Sequence, residues 1–144
     1  MDITAPLYLW KELDTYKIGT VANSTSTMHT IHKKPFTKDD FSHDHMSEHN
    51  QAVLAYVIVN LNQYRENYIE TGDKPHWYDM IQLLPSSYNQ LRTVTMNYEN
   101  LINMYHARKN HKLQEWHELC DWIETLPYAK ELIIGGENRC TTST

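Results

Sequence analysis

The chain has 144 residues, 40% of them apolar, with ten Tyr and four Trp, a composition that suits a packed domain and argues against disorder. A formal net charge of −5 provides no basic stripe to follow a phosphate backbone, so direct nucleic-acid binding is disfavoured and a basic protein surface is the better match. Four glycines, with no G-x-G-x-x-G or G-K-[ST] motif, exclude a glycine-cradled phosphate loop.

Residues 5–15 read as a helix, with Thr4 as cap and Pro6 in the first turn, where a missing N–H costs nothing. Leu9 and Leu13 share one of its faces. Tyr16 to Ala22 favours an extended conformation, and Asn23 to Thr27 reads as a polar loop. Thr37, followed three residues later by Asp40, has the form of a capping box. Ser47 to Thr71 predicts one long helix with an apolar stripe of Leu54, Val57, Ile58, Leu61, Tyr64 and Tyr68, ended by Gly72. Pro75 sits near the start of a further helix that ends before Pro85. Gln90 to Met96 reads as a strand; residues 97–110 and 112–125 read as helices, with Pro127 stopping the second. The expected fold is α+β and mainly helical. A small sheet from 16–22 and 90–96 carries the Leu54–Ile58–Leu61 stripe. Residues 1–134 form one domain and 135–144 a flexible tail.

Cys120 falls on an apolar helix face and Cys140 in a polar stretch, so no disulfide scaffold is indicated and a reducing bacterial cytoplasm is expected. The N-terminus lacks the pattern of a signal peptide. The longest apolar run, 52–59, is too short to span a bilayer, so no membrane partner is expected.

His43, His45 and His49 have spacing that could hold zinc, with Asp44 or Glu48 binding or orienting them; the competing reading is solvent-exposed histidines near a helix start. His29 and His32 form a second pair at i, i+3. Ser24, Ser26, Thr20 and His29 show no base held by a third group, so a hydrogen-bonded loop is preferred to nucleophilic chemistry. Tyr105, His106, Arg108, Lys109, His111 and Lys112 could contact a phosphate, but cations at a helix C-terminus account for them more simply. The aromatics exceed what such a core buries fully, which points to a partner or homo-oligomer surface; the competing reading is ordinary partial burial of amphipathic rings. Trp77, beside Tyr78 and following Pro75, is the candidate anchor at an exposed helix start. Asp39, Asp40, Asp44 and Glu48, or Glu115, Glu118 and Asp121, would meet a basic partner.

Two blocks carry a family resemblance. Leu84-Pro85 leading into a strand, then Asn97-Tyr98-Glu99-Asn100-Leu101 opening a helix, with Arg108, His111 and Trp116 further on, resembles the C-terminal half of flavin-dependent thymidylate synthases. There a Leu-Pro pair precedes a strand and an Asn-Ala-Arg-Ser-Leu motif. The block Trp10 to Thr20 resembles the family's helix-to-strand passage into its R-H-R-x-x-S-x-N-E-x-S-x-R-Y signature. Thr15, Tyr16 and Lys17 fall on the R-H-R triplet and Thr20 on the serine; Asn23 and Ser26 match with one residue inserted. Phage and prophage proteins of unassigned function are similar over a longer stretch, through P-L-Y-x-W-K-E-x-D-T-Y-K and N-H-K-L-x-E-W.

In that family the signature arginines hold flavin and nucleotide phosphates by bidentate bonds. Here Lys17 is the single cation of the triplet, and Glu99 reverses the charge of the motif arginine. The resemblance therefore implies a shortened scaffold with altered ligand residues, on which FAD is not expected. The expected role is a non-catalytic phage-type interaction protein that blocks a host macromolecule. A CRISPR effector nuclease, with its basic channel, is a suitable target, as for an anti-CRISPR inhibitor. The rival expectations are a nucleotide- or flavin-dependent enzyme of altered specificity and a zinc-stabilised structural protein.

Overall fold

A computed structural model describes residues 1–17, 19–21 and 27–135, with backbone alone at 19–21 and 27. Most of the expected polar loop and of the expected tail lies outside the described residues, as do Asn23, Ser24 and Ser26.

The elements run β1 (Asp2–Pro6), α1 (Leu7–Leu13), a 3-10 turn (Asp14–Tyr16), β2 (Gly19–Val21) and the single turn α2 (Thr27–Thr30). A second 3-10 turn (Lys38–Asp40), α3 (Glu48–Thr71), α4 (Lys74–Leu83) and β3 (Asn89–Thr95) follow. The described chain closes with α5 (Tyr98–Arg108), α6 (Gln114–Glu124) and a π turn (Lys130–Ile134). The fold is α+β and mainly helical, with a small sheet in the strand order β1-β3-β2.

One expectation fails at the start of the chain. Thr4 and Pro6 do not open a helix; they lie in β1, which runs antiparallel to β3 in a register from Asp2↔Thr93 to Pro6↔Asn89. The ladder outweighs the local capping signal because it satisfies the backbone groups of Asp2 to Ala5. Pro6 needs no ladder donor at the strand end, and the helix starts one residue later. Trp10 then anchors the passage, donating its indole N–H to Gln90 O at 3.0 Å while the Arg92 guanidinium lies 4.6 Å from its ring centre.

The chain divides into two compact units. The larger comprises Asp2–Trp10 and Val21–Thr93. Its dominant element is α3, whose 24 residues span about 36 Å. Ser47 caps the helix by accepting from Asn50 N, and Gly72 ends it at φ 70°, a left-handed conformation that suits glycine. The stripe forecast from the sequence is the buried one, but its partner differs from expectation. Leu54 and Leu61 pack with Ile31, Phe36, Phe41 and Met80, so the helix covers α4 and the 31–41 segment rather than a sheet face. Asn62 pins that segment by a two-way bond with the Phe36 backbone, at 2.8 and 2.9 Å, and Arg65 donates to His32 O at 2.9 Å.

The other unit comprises Met1, Lys11–Thr20 and the chain from Val94 onward. Here α5 packs on α6 and on the π turn. Asn97 and Asn100 form a reciprocal capping box at the start of α5. Leu13, Val94, Leu101, Met104, Trp116, Ile123 and Ile133 are buried. Cys120 is buried too, on the apolar face foreseen for it.

Candidate functional site

Of the residues that the resemblance aligns with the flavin signature, Tyr16 belongs, in this chain, to a polar and aromatic network. Glu12 reaches it from the last turn of α1 and Tyr16 from the following 3-10 turn; Arg108 ends α5, and Trp116 lies in the first turn of α6. Glu12 Oε2 accepts from Trp116 Nε1 at 2.6 Å and lies 3.4 Å from Arg108 Nη1 and 3.8 Å from His111 Nε2. Arg108 Nε donates to the Tyr16 hydroxyl at 2.8 Å, and its guanidinium lies 4.9 Å from the Trp116 ring centre. The Tyr16 and Trp116 rings meet edge to face at 5.9 Å. His111 Nδ1 accepts from Leu113 N at 3.2 Å, which puts the imidazole proton on Nε2, facing Glu12.

Glu12 Oε2, Arg108 Nε and Trp116 Nε1 are engaged inside this cluster. Arg108 is engaged by Glu12 and Tyr16, whereas Lys109 and Lys112 of the same basic–aromatic stretch are exposed. Thr15 turns its hydroxyl onto Glu12 O at 2.7 Å, and Lys17 is exposed in a left-handed conformation at φ 51°. Glu99 is exposed in the first turn of α5, where the helix dipole favours a carboxylate. Sequence reasoning paired Arg108, His111 and Trp116 but missed Glu12, the acceptor that unites them; its signal is a lone acid on α1 four residues before Tyr16.

Two further groups in this unit have raised pKa values. The Tyr105 hydroxyl donates to Glu124 Oε1 at 2.7 Å, and that bond, with burial, pushes its pKa up to about 12. Burial pushes the Cys120 thiol up, which makes it a poor nucleophile.

The larger unit has an open cavity of about 400 Å³ whose lining includes Tyr8, Ser42, His43, Asp44, His45, Ser86 and Ser87. Ser42 N donates to Ser87 O and Ser42 Oγ to Asn89 Oδ1, both at 2.9 Å, tying the segment before α3 to the Leu-Pro turn. Ser87 is only 7% exposed, and its hydroxyl has no hydrogen-bond partner in the described structure. His43 and His45 thus share a cavity, with His45 paired to Asp44 at 3.3 Å. His49 is not part of its lining and is exposed in the first turn of α3. Among the described residues no three His, Cys, Asp or Glu side chains are grouped to hold a metal ion.

A second cavity of about 370 Å³ in this unit is lined by His29, His32, Tyr68, Lys74 and Trp77, among others. Trp77 is not the free anchor expected from the sequence. It is half-buried against the core, with its indole N–H donated to Met28 O at 3.0 Å; Tyr78 is the exposed ring of the pair, at 44%. Of the acidic candidates, Asp39, Asp44 and Glu48 are exposed. Asp40 is engaged by Thr37 N at 2.8 Å and by Lys34 at 3.9 Å. Lys33, Lys34 and Lys38 stand close to these acids in sequence and dilute their charge. Glu118 and Asp121 are exposed on α6, with no lysine or arginine between Gln114 and Glu124 and His117 beside Glu118.

No protein-family model and no curated protein sequence matches the chain. The architecture is that of flavin-dependent thymidylate synthases. Two solved structures of ThyX from Helicobacter pylori with FAD and dUMP are similar to it, each at a TM-score of 0.60 and 18% identity. One match covers 91% of this chain and 69% of that one, the other 92% and 68%. Among the described residues no helix is long and apolar enough to cross a membrane.

Proposed function

We propose that the chain is a binding protein without catalytic turnover, built on a thymidylate synthase-like scaffold and directed at a basic macromolecular partner in a phage-infected host. The observation that carries this reading is the Glu12–Arg108–Tyr16–Trp116 network. Where the resembling enzymes use arginines to grip flavin and nucleotide phosphates, Tyr16 is locked between Arg108 and Trp116, and Thr15 is bonded to its own helix. Glu99 adds a negative charge where a phosphate would need a positive one. The exposed acids of α6, Glu118 and Asp121, supply the better complementary surface for a basic channel, such as that of a CRISPR effector nuclease; Asp39, Asp44 and Glu48 offer a second.

The test is titration of such a nuclease at fixed concentration. Inhibition that saturates near one equivalent and weakens with salt is expected, since exposed charges more than about 8 Å apart are screened at physiological ionic strength. Full inhibition by a small catalytic fraction would replace the binding reading with an enzymatic one.

A further inference from the structure

The cavity beside Trp77 is cationic and aromatic in a chain that is acidic overall. One permanent cation, Lys74, and two imidazoles, His29 and His32, line it together with the rings of Tyr68 and Trp77, and no carboxylate is among its walls. The chain has 18 acids against 13 Lys and Arg, so walls of that kind are the exception in it. The volume, about 370 Å³, is at the small end of small-molecule sites. Glu70 and Asp73, the nearest acids in sequence, are exposed and outside the lining. Asp73 is the N-cap residue of α4 yet makes no side-chain capping bond, and Pro75 has no N–H to satisfy, so no capping bond offsets the positive pole of that helix at Lys74.

The walls are held by the fold itself. Trp77 is fixed by its indole N–H on Met28 O at 3.0 Å, and Tyr68 meets the His32 ring edge to face at 5.1 Å. Arg65 holds the His32 backbone by donating to its carbonyl at 2.9 Å. His32 Nδ1 is closed off from solvent and has no hydrogen-bond partner among the described residues. A buried N–H left unpaired costs more than a bare lone pair, so the ring proton belongs on Nε2. Packing alone does not account for an imidazole at this position: a phenyl ring would keep the contact with Tyr68 and bring no orphan nitrogen. Lys74 is exposed, with its Nζ 5.6 Å from the Tyr78 ring centre, so its ammonium keeps N–H bonds for an anion.

We infer that this cavity binds a small aromatic anion: a planar ring against Trp77 and Tyr68, with a phosphate or carboxylate met by Lys74, the imidazoles and the start of α4. A bare anion makes no use of the two rings, and a neutral aromatic makes none of Lys74. The two features together select a ligand that has both.

Titration of the full chain, followed by nuclear magnetic resonance on the assigned amide and indole N–H signals of Tyr68, Gly72 and Trp77, tests this. The probes are naphthyl phosphate, naphthoate, naphthol and inorganic phosphate. Saturable shifts with a naphthyl anion, and affinities about tenfold weaker for naphthol and for inorganic phosphate, are expected; the tighter of the two naphthyl anions names the charged group. Lys74→Gln, at an exposed position, should weaken the naphthyl anion about tenfold, the loss of one charge-assisted bond. His32→Phe should weaken it as well while Tm holds or rises, a split that a merely structural histidine would not give. Should His32→Phe lose its helical circular dichroism, Lys74→Gln and the four probes still decide. No saturable shift at millimolar naphthyl anion, naphthol bound as tightly as the anions, or unchanged affinity in Lys74→Gln would overturn the inference.

Discussion

Replacing Glu12 by Ala removes the one acceptor shared by Trp116, Arg108 and His111. Trp116 is fully buried, so its indole N–H would be left without a partner. A hydrogen bond from a buried donor to a carboxylate contributes about 1.5–3 kcal/mol. The ion pair with Arg108 is longer, at 3.4 Å, and its two side chains are 22% and 33% exposed. Solvent reduces such a pair to about 0.5 kcal/mol. Glu12→Ala should therefore cost about 2–4 kcal/mol, and lower Tm by roughly 10 °C in a chain of this size. Glu12→Gln keeps an acceptor for Trp116 and should cost about 1 kcal/mol. Urea unfolding monitored by Trp fluorescence and by circular dichroism gives both values. A double-mutant cycle of Glu12→Ala with Arg108→Ala isolates the ion-pair part. If Glu12→Ala unfolds within about 0.5 kcal/mol of the wild type, the network is not a structural strut, and the reason for excluding a ligand from it goes too.

Leu61, fully buried in the α3–α4 core, should not tolerate Asp: an unpaired buried carboxylate costs several kcal/mol, on the order of the whole stability, and helical circular dichroism should be lost. The Tyr105 hydroxyl, raised to about 12 from 10.0, donates to Glu124 only while protonated. Its stabilisation is therefore complete below pH 10 and lost as pH climbs through 12. Tyr105→Phe should be about 1 kcal/mol less stable at neutral pH and lack that part of the alkaline loss, as read from denaturant midpoints across pH. Ser87→Ala deletes a buried hydroxyl without a protein partner and should leave Tm unchanged or raise it; a loss above about 1 kcal/mol would reveal a partner for that hydroxyl. Chelation with EDTA should leave Tm and helicity unchanged, whereas a fall abolished by His43→Ala with His45→Ala would put a structural metal in their shared cavity.

The parts of the fold legible in the sequence are those written in local chemistry. Ser47 and Gly72 delimit α3 because a hydroxyl cap and a left-handed glycine act within one turn of the chain. The capping box of Thr37 and Asp40 is present for the same reason, although it opens only a 3-10 turn. What periodicity could not supply was the identity of the partner. The stripe of α3 was readable from spacing, but the spacing does not say whether a sheet or another helix covers it, and α4 with the 31–41 segment does. β1 escaped because Thr4 and Pro6 also fit a helix start, and only a strand 83 or more residues away, from Asn89 to Thr95, decides between the two. Trp77 was misjudged because its exposure depends on Met28, which accepts its indole N–H from outside its own helix. Of the candidate site, the substitutions at Thr15, Tyr16 and Glu99 were visible as residue types. That Tyr16 would be clasped by Arg108 was not, because the two lie 92 residues apart.

The most direct measurement is titration of the purified full chain with FAD, with and without dUMP, followed by an assay for dTMP with a folate and reduced flavin. Colourless protein, no saturable change in flavin fluorescence and no dTMP are the results that the proposed binding role predicts, with Tyr16 held by Arg108 and Trp116. A stoichiometric flavin complex, or dTMP formed over repeated turnovers, would contradict the central claim and return the chain to the enzymes it resembles.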